Sequence, residues 1–244
     1  GSGSERLSFC MVGAALAYTP HPADKPRIAI SMYGITTPCV VHAAKYLETR
    51  GYEPIIFHAN GAGGKAMKTL IAEGMFQGVL DITTAEVGAY VLDAESSSAG
   101  EDRLDAAVLA GLPQVVSVGG MDVIGIRVDQ LHTKFHGYTP YSHNDKPDMI
   151  RTRPEDGIRI GQFMCRHLNN IAPCAIYLPI RSLSSLDVAG GQTCDDEARR
   201  LLYESISQNA GPAVDVVEMD CDINDPAFAE AMAERLCRML EAKK

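Results

Sequence analysis

Short apolar runs alternate with longer segments of mixed polarity along most of the chain. Such runs, bounded by turn residues, predict buried strands, and the segments between them carry the apolar spacing of helices. The six runs are residues 27–32, 53–57, 78–84, 114–119, 175–179 and 214–219. Strands that alternate with helices predict an α/β fold, namely a doubly wound, mainly parallel six-stranded sheet with helices on both faces, of Rossmann-like or flavodoxin-like type.

Three segments carry helix start signals. Thr37 followed by Pro38 predicts a hydroxyl N-cap with a proline in the first turn. Residues 152–155 predict a capping box, and Asp225 before Pro226 predicts the start of an amphipathic last helix. Residues 127–151, rich in His, Pro, Tyr and Asp, have no clear period and predict an excursion, either a hairpin or a lid.

The composition excludes several classes of protein. Hydrophobic residues make up 46% of the 244 residues, yet no stretch is apolar over the length that spans a bilayer. A net charge of -9 without a Lys and Arg cluster argues against nucleic acid as a partner. Seven cysteines without a C-x-x-C pair favour reduced thiols. We therefore expect a soluble, cytoplasmic protein that binds neither membrane nor nucleic acid.

The chain is expected to contain one domain, residues 27–244. Residues 1–26 are interpreted as an expression tag (Gly1 to Ser4), an extension and a proline-rich linker. No metal site is expected, because His132, His136 and His143 lie among Gly, Tyr and Pro and lack the glutamate of the metalloprotease pattern.

Ligands of doubly wound sheets bind beyond the carboxyl ends of the strands, so the outgoing loops are the candidate site. The loop after the second strand, residues 58–64, breaks into glycines and then resumes as a helix, an arrangement that can bind phosphate. The candidate phosphate-binding residues are Gly34, Thr36, Thr37, Asn60, Gly61, Gly63, Gly64, Lys65, Thr83 and Thr84.

The glycine loop fits no single motif fully. The Walker pattern fails because Ala59 and Ala66 stand where glycine and a hydroxyl residue are required. Gly61, Gly63 and Ala66 fit the dinucleotide pattern, with Asp81 as the ribose-binding acid, but a strand–helix unit already precedes them. A purely structural glycine turn remains an alternative.

Candidate catalytic residues lie on the same loops. His58 could act as a general base, Glu86 could activate a nucleophile and Arg181 could stabilise developing charge. Three carboxylates, Glu86, Asp122 and Asp187, could hold Mg²⁺ beside a phosphate, although acids at helix starts more often complement the helix dipole. Cys39, in the first turn of a helix, is predicted to be a thiolate, with a small buried cysteine as the alternative. Residues 182–191 are predicted to form a flexible loop that closes on a ligand.

Five segments in one order resemble a known family: residues 33–40, 57–64, 80–86, 99–104 and 224–228. The chain is similar, from Lys25 to Leu240, to the carboxy-terminal domain of the Tm-1-like ATP-binding family, also called tomato mosaic virus resistance protein-like and otherwise uncharacterised. The resemblance implies the second half of a two-domain α/β protein, with the amino-terminal domain absent here. It also implies ATP binding, on this domain or on the absent one, and assembly into homo-oligomers; the plant member blocks a viral replication protein.

Three functions follow as hypotheses. The first is a domain that binds a nucleotide or another phosphorylated small molecule, with ATP and Mg²⁺ as possible cofactors. The second is a hydrolase or transferase acting on such a molecule. The third is a non-catalytic interaction module that assembles into oligomers.

Overall fold

A computed structural model describes residues 25–142, 148–169 and 173–243. The predicted tag and most of the predicted linker lie outside these ranges, as does His143. The strands are β1 (Arg27–Met32), β2 (Glu53–His58), β3 (Gly78–Thr83), β4 (Gln114–Gly119), β5 (Val123–Gly125), β6 (Pro140–Tyr141), β7 (Met149–Arg151), β8 (Cys174–Pro179) and β9 (Val214–Met219). The helices are α1 (Thr37–Thr49), α2 (Ala62–Ala72), α3 (Ala85–Val91), α4 (Asp105–Leu109), α5 (Pro154–Leu168), α6 (Asp196–Asn209) and α7 (Pro226–Ala242).

The main sheet has six strands in the order β2-β1-β3-β4-β8-β9. Every neighbouring pair is parallel. The chain passes from β1 to β2 on one side, returns to β3 on the other and then continues outward, so the switch point lies between β1 and β3. The predicted doubly wound fold is confirmed, and each predicted strand matches to within one residue at either end.

Successive strand residues point to opposite sides of this sheet, so its apolar side chains lie on both faces. Helices cover both faces and bury these side chains. On one face α1 and α7 pack over Ile28, Leu80 and Val115. On the other face α2 and α4 pack over Ala29 and Val79, while α3, α5 and α6 pack over Val116 and Ile176. Apolar contacts of this kind are the main favourable contribution to the stability of the fold.

A small antiparallel sheet, ordered β5-β7-β6, branches from the carboxyl edge of the main sheet. Two of its strands, β6 and β7, come from the excursion predicted at residues 127–151, and they pair directly with each other. The hairpin alternative is therefore confirmed for β6 and β7, while the described residues from 127 to 139 form a short 3-10 helix and turns.

Two predicted helix caps are displaced. The hydroxyl of Thr37 donates to the carbonyl of Tyr33 at 3.2 Å from inside the helix rather than capping it. At α5, the carboxylate of Asp156 accepts the backbone N–H of Arg153 at 2.9 Å. The hydroxyl of Thr152 instead donates to the carbonyl of Met121 at 2.9 Å, because the buried turn after β4 offers it a nearer acceptor.

Candidate functional site

The switch point between β1 and β3 is filled by the protein's own loops. The backbone N–H of Ser185 donates to Ile35 O at 3.0 Å, and the N–H of Gly120 donates to Leu183 O at 2.9 Å. A side chain at Gly119 would have no space, since its Cβ would lie 2.4 Å from Ile82 O and 2.6 Å from Ile223 Cδ1. The crevice that usually binds ligands in this fold is thus closed by the loops after β1, β4, β8 and β9.

The threonines of the predicted site are bonded within this closed rim. Thr36 and Thr83 are fully buried, and their hydroxyl oxygens lie 2.7 Å apart. The hydroxyl of Thr84 donates to Ser117 O at 2.7 Å. Thr37 is half-buried and Gly34 is exposed. These hydroxyls stabilise the turns after β1 and β3.

The glycine loop surrounds a carboxylate of the same chain. The backbone N–H groups of Gly61 and Gly64 donate to Oε1 of Glu86 at 2.6 and 3.0 Å. The N–H of Gly63 donates to the side-chain oxygen of Asn60 at 3.3 Å. Glu86 therefore occupies, as an internal anion, the position that the sequence suggested for a phosphate, and it complements the positive end of α2.

The requirement for glycine in this loop follows from the same contacts. A Cβ at Gly64 would lie 2.1 Å from Oε2 of Glu86, and one at Gly63 would lie 1.9 Å from His58 O. Gly61 has a φ of 90°, which other residues rarely adopt. Close packing accounts for Gly63 and Gly64, and the positive φ accounts for Gly61.

A buried ionic network holds Glu86 in place. Nε of Arg103 donates to Glu86 at 2.6 Å, and its two terminal nitrogens donate to Asp81 at 2.7 and 3.0 Å. The hydroxyl of Ser31 donates to Asp81 at 2.6 Å. Burial lowers the pKa of Arg103, but attraction to Asp81 and Glu86 outweighs this and leaves the pKa raised.

Sequence reasoning did not single out Arg103 as a functional residue. Arg103 falls in residues 99–104, one of the segments that carry the family resemblance. That resemblance was the sequence feature that could have pointed to it. Its partner Asp81, predicted to bind a ribose, is almost fully buried against it.

The second group of rim carboxylates is also buried. Oδ2 of Asp122 accepts the hydroxyls of Ser184 and Thr193 at 2.7 and 2.8 Å. Asp187 accepts the N–H of Leu183 at 3.0 Å and a guanidinium N–H of Arg199 at 2.7 Å. These bonds fasten the loop at residues 182–191, in which Ser185 and residues 188–190 are exposed. The loop that was predicted to be flexible and to close on a ligand is thus bonded to the rim at Ser184 and Asp187.

The predicted Mg²⁺ ligands share that burial. Glu86, Asp122 and Asp187 are each fully buried, and in the part of the chain that the structure describes no three His, Cys, Asp or Glu side chains are grouped as metal ligands. His132 and His136 are exposed. A site formed by these carboxylates would first have to give up its internal hydrogen bonds.

The three proposed catalytic residues lie apart. His58 is exposed at the end of β2, with its ring edge-on to Tyr33 at 5.3 Å. Arg181 is exposed after β8 and pairs with Asp220 at 2.9 Å. Three strands lie between β2 and β8, so these ends are separated by roughly 19 Å. With Glu86 buried, the three side chains do not form one constellation.

An open groove of about 540 Å³ runs between α2 and α4. The residues that line it are Lys65, Lys68, Thr69, Ala72, Asp102, Asp105, Ala106, Leu109 and Ala110. Lys68 pairs with Asp102, and Asp105 lies 2.6 Å from Nδ1 of His167. Lys65 is exposed and makes no ion pair with the residues that the structure describes. Of the predicted phosphate-binding residues, only Lys65 lines this groove.

The described ranges contain no helix that is both long enough and apolar enough to cross a membrane.

Comparison with known proteins places the chain in a family. Residues 25–240 match the model of the C-terminal domain of the uncharacterised protein family UPF0261. A UPF0261 protein of Clostridium tetani is 35% identical over 238 residues, which cover 96% of this chain and 59% of that protein. A UPF0261 protein of Rhizobium meliloti is 36% identical over 213 residues, covering 86% of this chain and 53% of the relative. The chain thus spans a little over half the length of these bacterial relatives.

A plant relative carries the name expected from the sequence motifs. The ToMV resistance protein Tm-1 of Solanum lycopersicum is 32% identical over 214 residues, covering 86% of this chain and 28% of the plant protein.

A solved ABC transporter solute-binding protein from Agrobacterium vitis, with bound α-D-tagatopyranose, aligns over 90% of this chain and 64% of the solved chain. The sequence identity is 15% and the TM-score is 0.28. That score is too low to bear on fold or function. On the family match and the relatives, the chain belongs to the uncharacterised protein family UPF0261 and carries its C-terminal domain.

Proposed function

We propose that this domain binds a phosphorylated small molecule in the groove between α2 and α4, with ATP or another nucleotide as the first candidate. The position of Lys65 carries the proposal. Its ammonium group stands in the first turn of α2, where the helix dipole favours an anion, and it lines a groove of about 540 Å³. Pockets for small ligands commonly have volumes of roughly 300–1,000 Å³.

The phosphate would be bound by side chains rather than by the glycine amides. Gly61 and Gly64 already donate to Glu86, whereas Lys65 is exposed, and so are His58 and Asn60 in the turn that leads into α2. Lys65 offers a donor to an anion in the groove, and His58 and Asn60, which do not line it, precede the helix that carries Lys65. Mg²⁺ would enter with the phosphates of a nucleotide, because hard cations are often bound by phosphate oxygens.

Apolar and acidic groups along the groove suit the rest of a nucleotide. Ala106, Leu109 and Ala110 offer an apolar surface for a base, and Asp102 and Asp105 offer acceptors for ribose hydroxyls. Because the bacterial relatives are longer than this chain, the remaining polypeptide, including the predicted amino-terminal domain, could complete the site in the full-length protein.

Calorimetric titration with ATP, ADP and inorganic phosphate tests the proposal. We expect heat of binding for at least one of these ligands, and a loss of about tenfold in affinity for Lys65→Ala, since a charge-assisted hydrogen bond contributes roughly 1.5–3 kcal/mol. Ala110→Trp should block the groove and abolish binding. Lys45→Ala is the matched control, because Lys45 is an exposed lysine on α1, on the opposite face of the sheet.

Two results would reject the groove as the site. The first is an absence of heat with all three ligands in both this domain and a full-length family member. The second is binding that persists unchanged in both Lys65→Ala and Ala110→Trp. The geometry gives little support to catalysis by His58, Glu86 and Arg181, because these side chains lie apart. A phosphate-release assay on Lys65→Ala and Ala110→Trp would test whether a reaction takes place in the groove.

Protein interaction is a second candidate, and one residue favours it. Leu109 is 85% exposed, and it lines the same groove beside Ala106 and Ala110, so that this wall of the groove is apolar. If the groove is an interface between copies of the chain, Leu109→Ser should reduce the oligomer mass measured by light scattering. An unchanged mass would exclude Leu109 from any such interface.

A further inference from the structure

A small cavity lies beneath the groove between α2 and α4, against the sheet. It offers about 10 Å³ to the centre of a water molecule. Asp81, Arg103 and Gln114 are its buried polar lining, and Met67, Ile71, Val79, Leu104 and Ala107 form most of its apolar wall. Lys68 and Ala106 line both the cavity and the groove, so they separate the two.

Gln114 presents a buried amide that has no acceptor. It is the first residue of β4 and is 1% exposed. Its Nε2 makes no hydrogen bond to any residue that the structure describes. A buried N–H group without an acceptor is strongly unfavourable, and native proteins rarely leave one unmet. The chemistry of the cavity therefore requires an acceptor next to Gln114.

The opposite side of the cavity carries both donors and an acceptor. Arg103 uses three of its guanidinium N–H groups on Glu86 and Asp81, out of the five that an arginine has. Oδ2 of Asp81 accepts one of these bonds, from a terminal nitrogen of Arg103, and an ionised carboxylate oxygen can accept more than one. The occupant must accept from Gln114, and it gains if it also donates to Asp81.

We propose that one water molecule is bound in this cavity as a permanent part of the fold, accepting from Gln114 and donating to Asp81. Its volume is close to the smallest that holds a water, and at least two polar partners line it, as a buried water requires. An ammonium ion has no lone pair to accept the Gln114 N–H. A chloride ion is larger than water and would face the Asp81 carboxylate.

This water would extend the buried network across the sheet. The network then runs from Gln114 on β4 through the water to Asp81 on β3, to Arg103, to Glu86 and so to the amides of the glycine loop. The inference depends on the cavity and on Gln114, not on the ligand proposed for the groove, so either one can fail without the other.

A crystal structure at a resolution that shows ordered solvent tests the assignment. We expect one well-ordered water within hydrogen-bond distance of Nε2 of Gln114 and of a carboxylate oxygen of Asp81. In solution, the side-chain amide protons of Gln114 should show NMR cross-relaxation with a long-lived water. Gln114→Leu removes both donors at similar volume and should lose the water, while the bonds between Glu86 and the glycine loop persist. Gln208→Leu, at an exposed site on α6, is the matched control and should keep it.

Two findings would overturn the proposal. One is a wild-type cavity that holds no water, or a Gln114 side chain that turns to a protein acceptor. The other is a water that remains in Gln114→Leu. If that variant does not fold, the wild-type crystal structure and the NMR measurement still decide the question.

Discussion

Glu86 and Arg103 are joined inside the protein by a hydrogen bond of 2.6 Å between a carboxylate oxygen and a guanidinium nitrogen, with side chains that are 0% and 2% exposed. The other carboxylate oxygen accepts two backbone amides of the glycine loop. Arg103 is in turn paired with Asp81 on β3. The ends of β2 and β3 are therefore linked through charged groups that would be costly to bury singly.

Glu86→Gln should destabilise the fold by about 3–5 kcal/mol, the range found when one partner of a buried ion pair is removed. The amide would place N–H groups against donors from Arg103 or from the glycine loop, and Arg103 would keep only Asp81 as its counter-charge. Urea unfolding followed by circular dichroism measures the change.

Glu73→Gln serves as the control for this substitution, because Glu73 is exposed just after α2. Its free energy of unfolding should change by less than about 0.5 kcal/mol. A comparably small change in Glu86→Gln would mean that the carboxylate is not paired with Arg103 as the distance indicates.

Gly64→Ala should destabilise the protein by about 1–3 kcal/mol through overpacking, although alanine is the better helix former. The added Cβ would lie 2.1 Å from the Glu86 carboxylate. Gly34→Ala is the matched control, since nothing lies within 4 Å of the Cβ position there. Thermal unfolding of both variants measures the difference, and equal melting temperatures would contradict it.

Sequence periodicity was sufficient for the main sheet, because a strand buried on both faces must read as an apolar run between turn residues. It also located the glycine loop. It could not identify the anion in that loop, since Glu86 lies 22 residues after Gly64 in the chain and reaches it only through the fold. Arg103 and the switch-point closure by Ser185 were missed for the same reason. Such contacts depend on tertiary packing and leave no local pattern.

Asp122 should give the stability a distinctive pH dependence. Burial, and next the nearby Asp187 carboxylate, raise the pKa of Asp122 above its ordinary value. The folded state then binds more protons than the unfolded state between the unfolded pKa of about 4 and the raised folded pKa. Wild-type stability is therefore lowered as the pH rises through this window. Relative to wild type, Asp122→Asn should gain stability across the same window, as measured by urea unfolding at a series of pH values.

Asp220→Asn provides a control of opposite sign. The hydrogen bond from Arg181 lowers the pKa of Asp220, so its contribution is present above the unfolded pKa and is lost as the pH falls. Asp220 is exposed, and solvent keeps the effect small. A stability difference for Asp122→Asn that does not vary with pH, or that varies in the same direction as for Asp220→Asn, would contradict a raised pKa for Asp122.

Cys39 should resist alkylation in the folded protein. Its place in the first turn of α1 suggested a lowered thiol pKa, but burial, and then the neighbouring Cys221, raise the pKa far above its ordinary value. The thiolate is the reactive species, so the helix dipole does not suffice here to activate the Cys39 thiol.

Alkylation with iodoacetamide at pH 8, followed by peptide mass spectrometry, measures this difference. The partly exposed Cys194 should be modified well before Cys39 in the folded protein, and in urea both should react alike. Equal rates in the folded protein would mean that Cys39 is accessible and that the helix terminus outweighs burial.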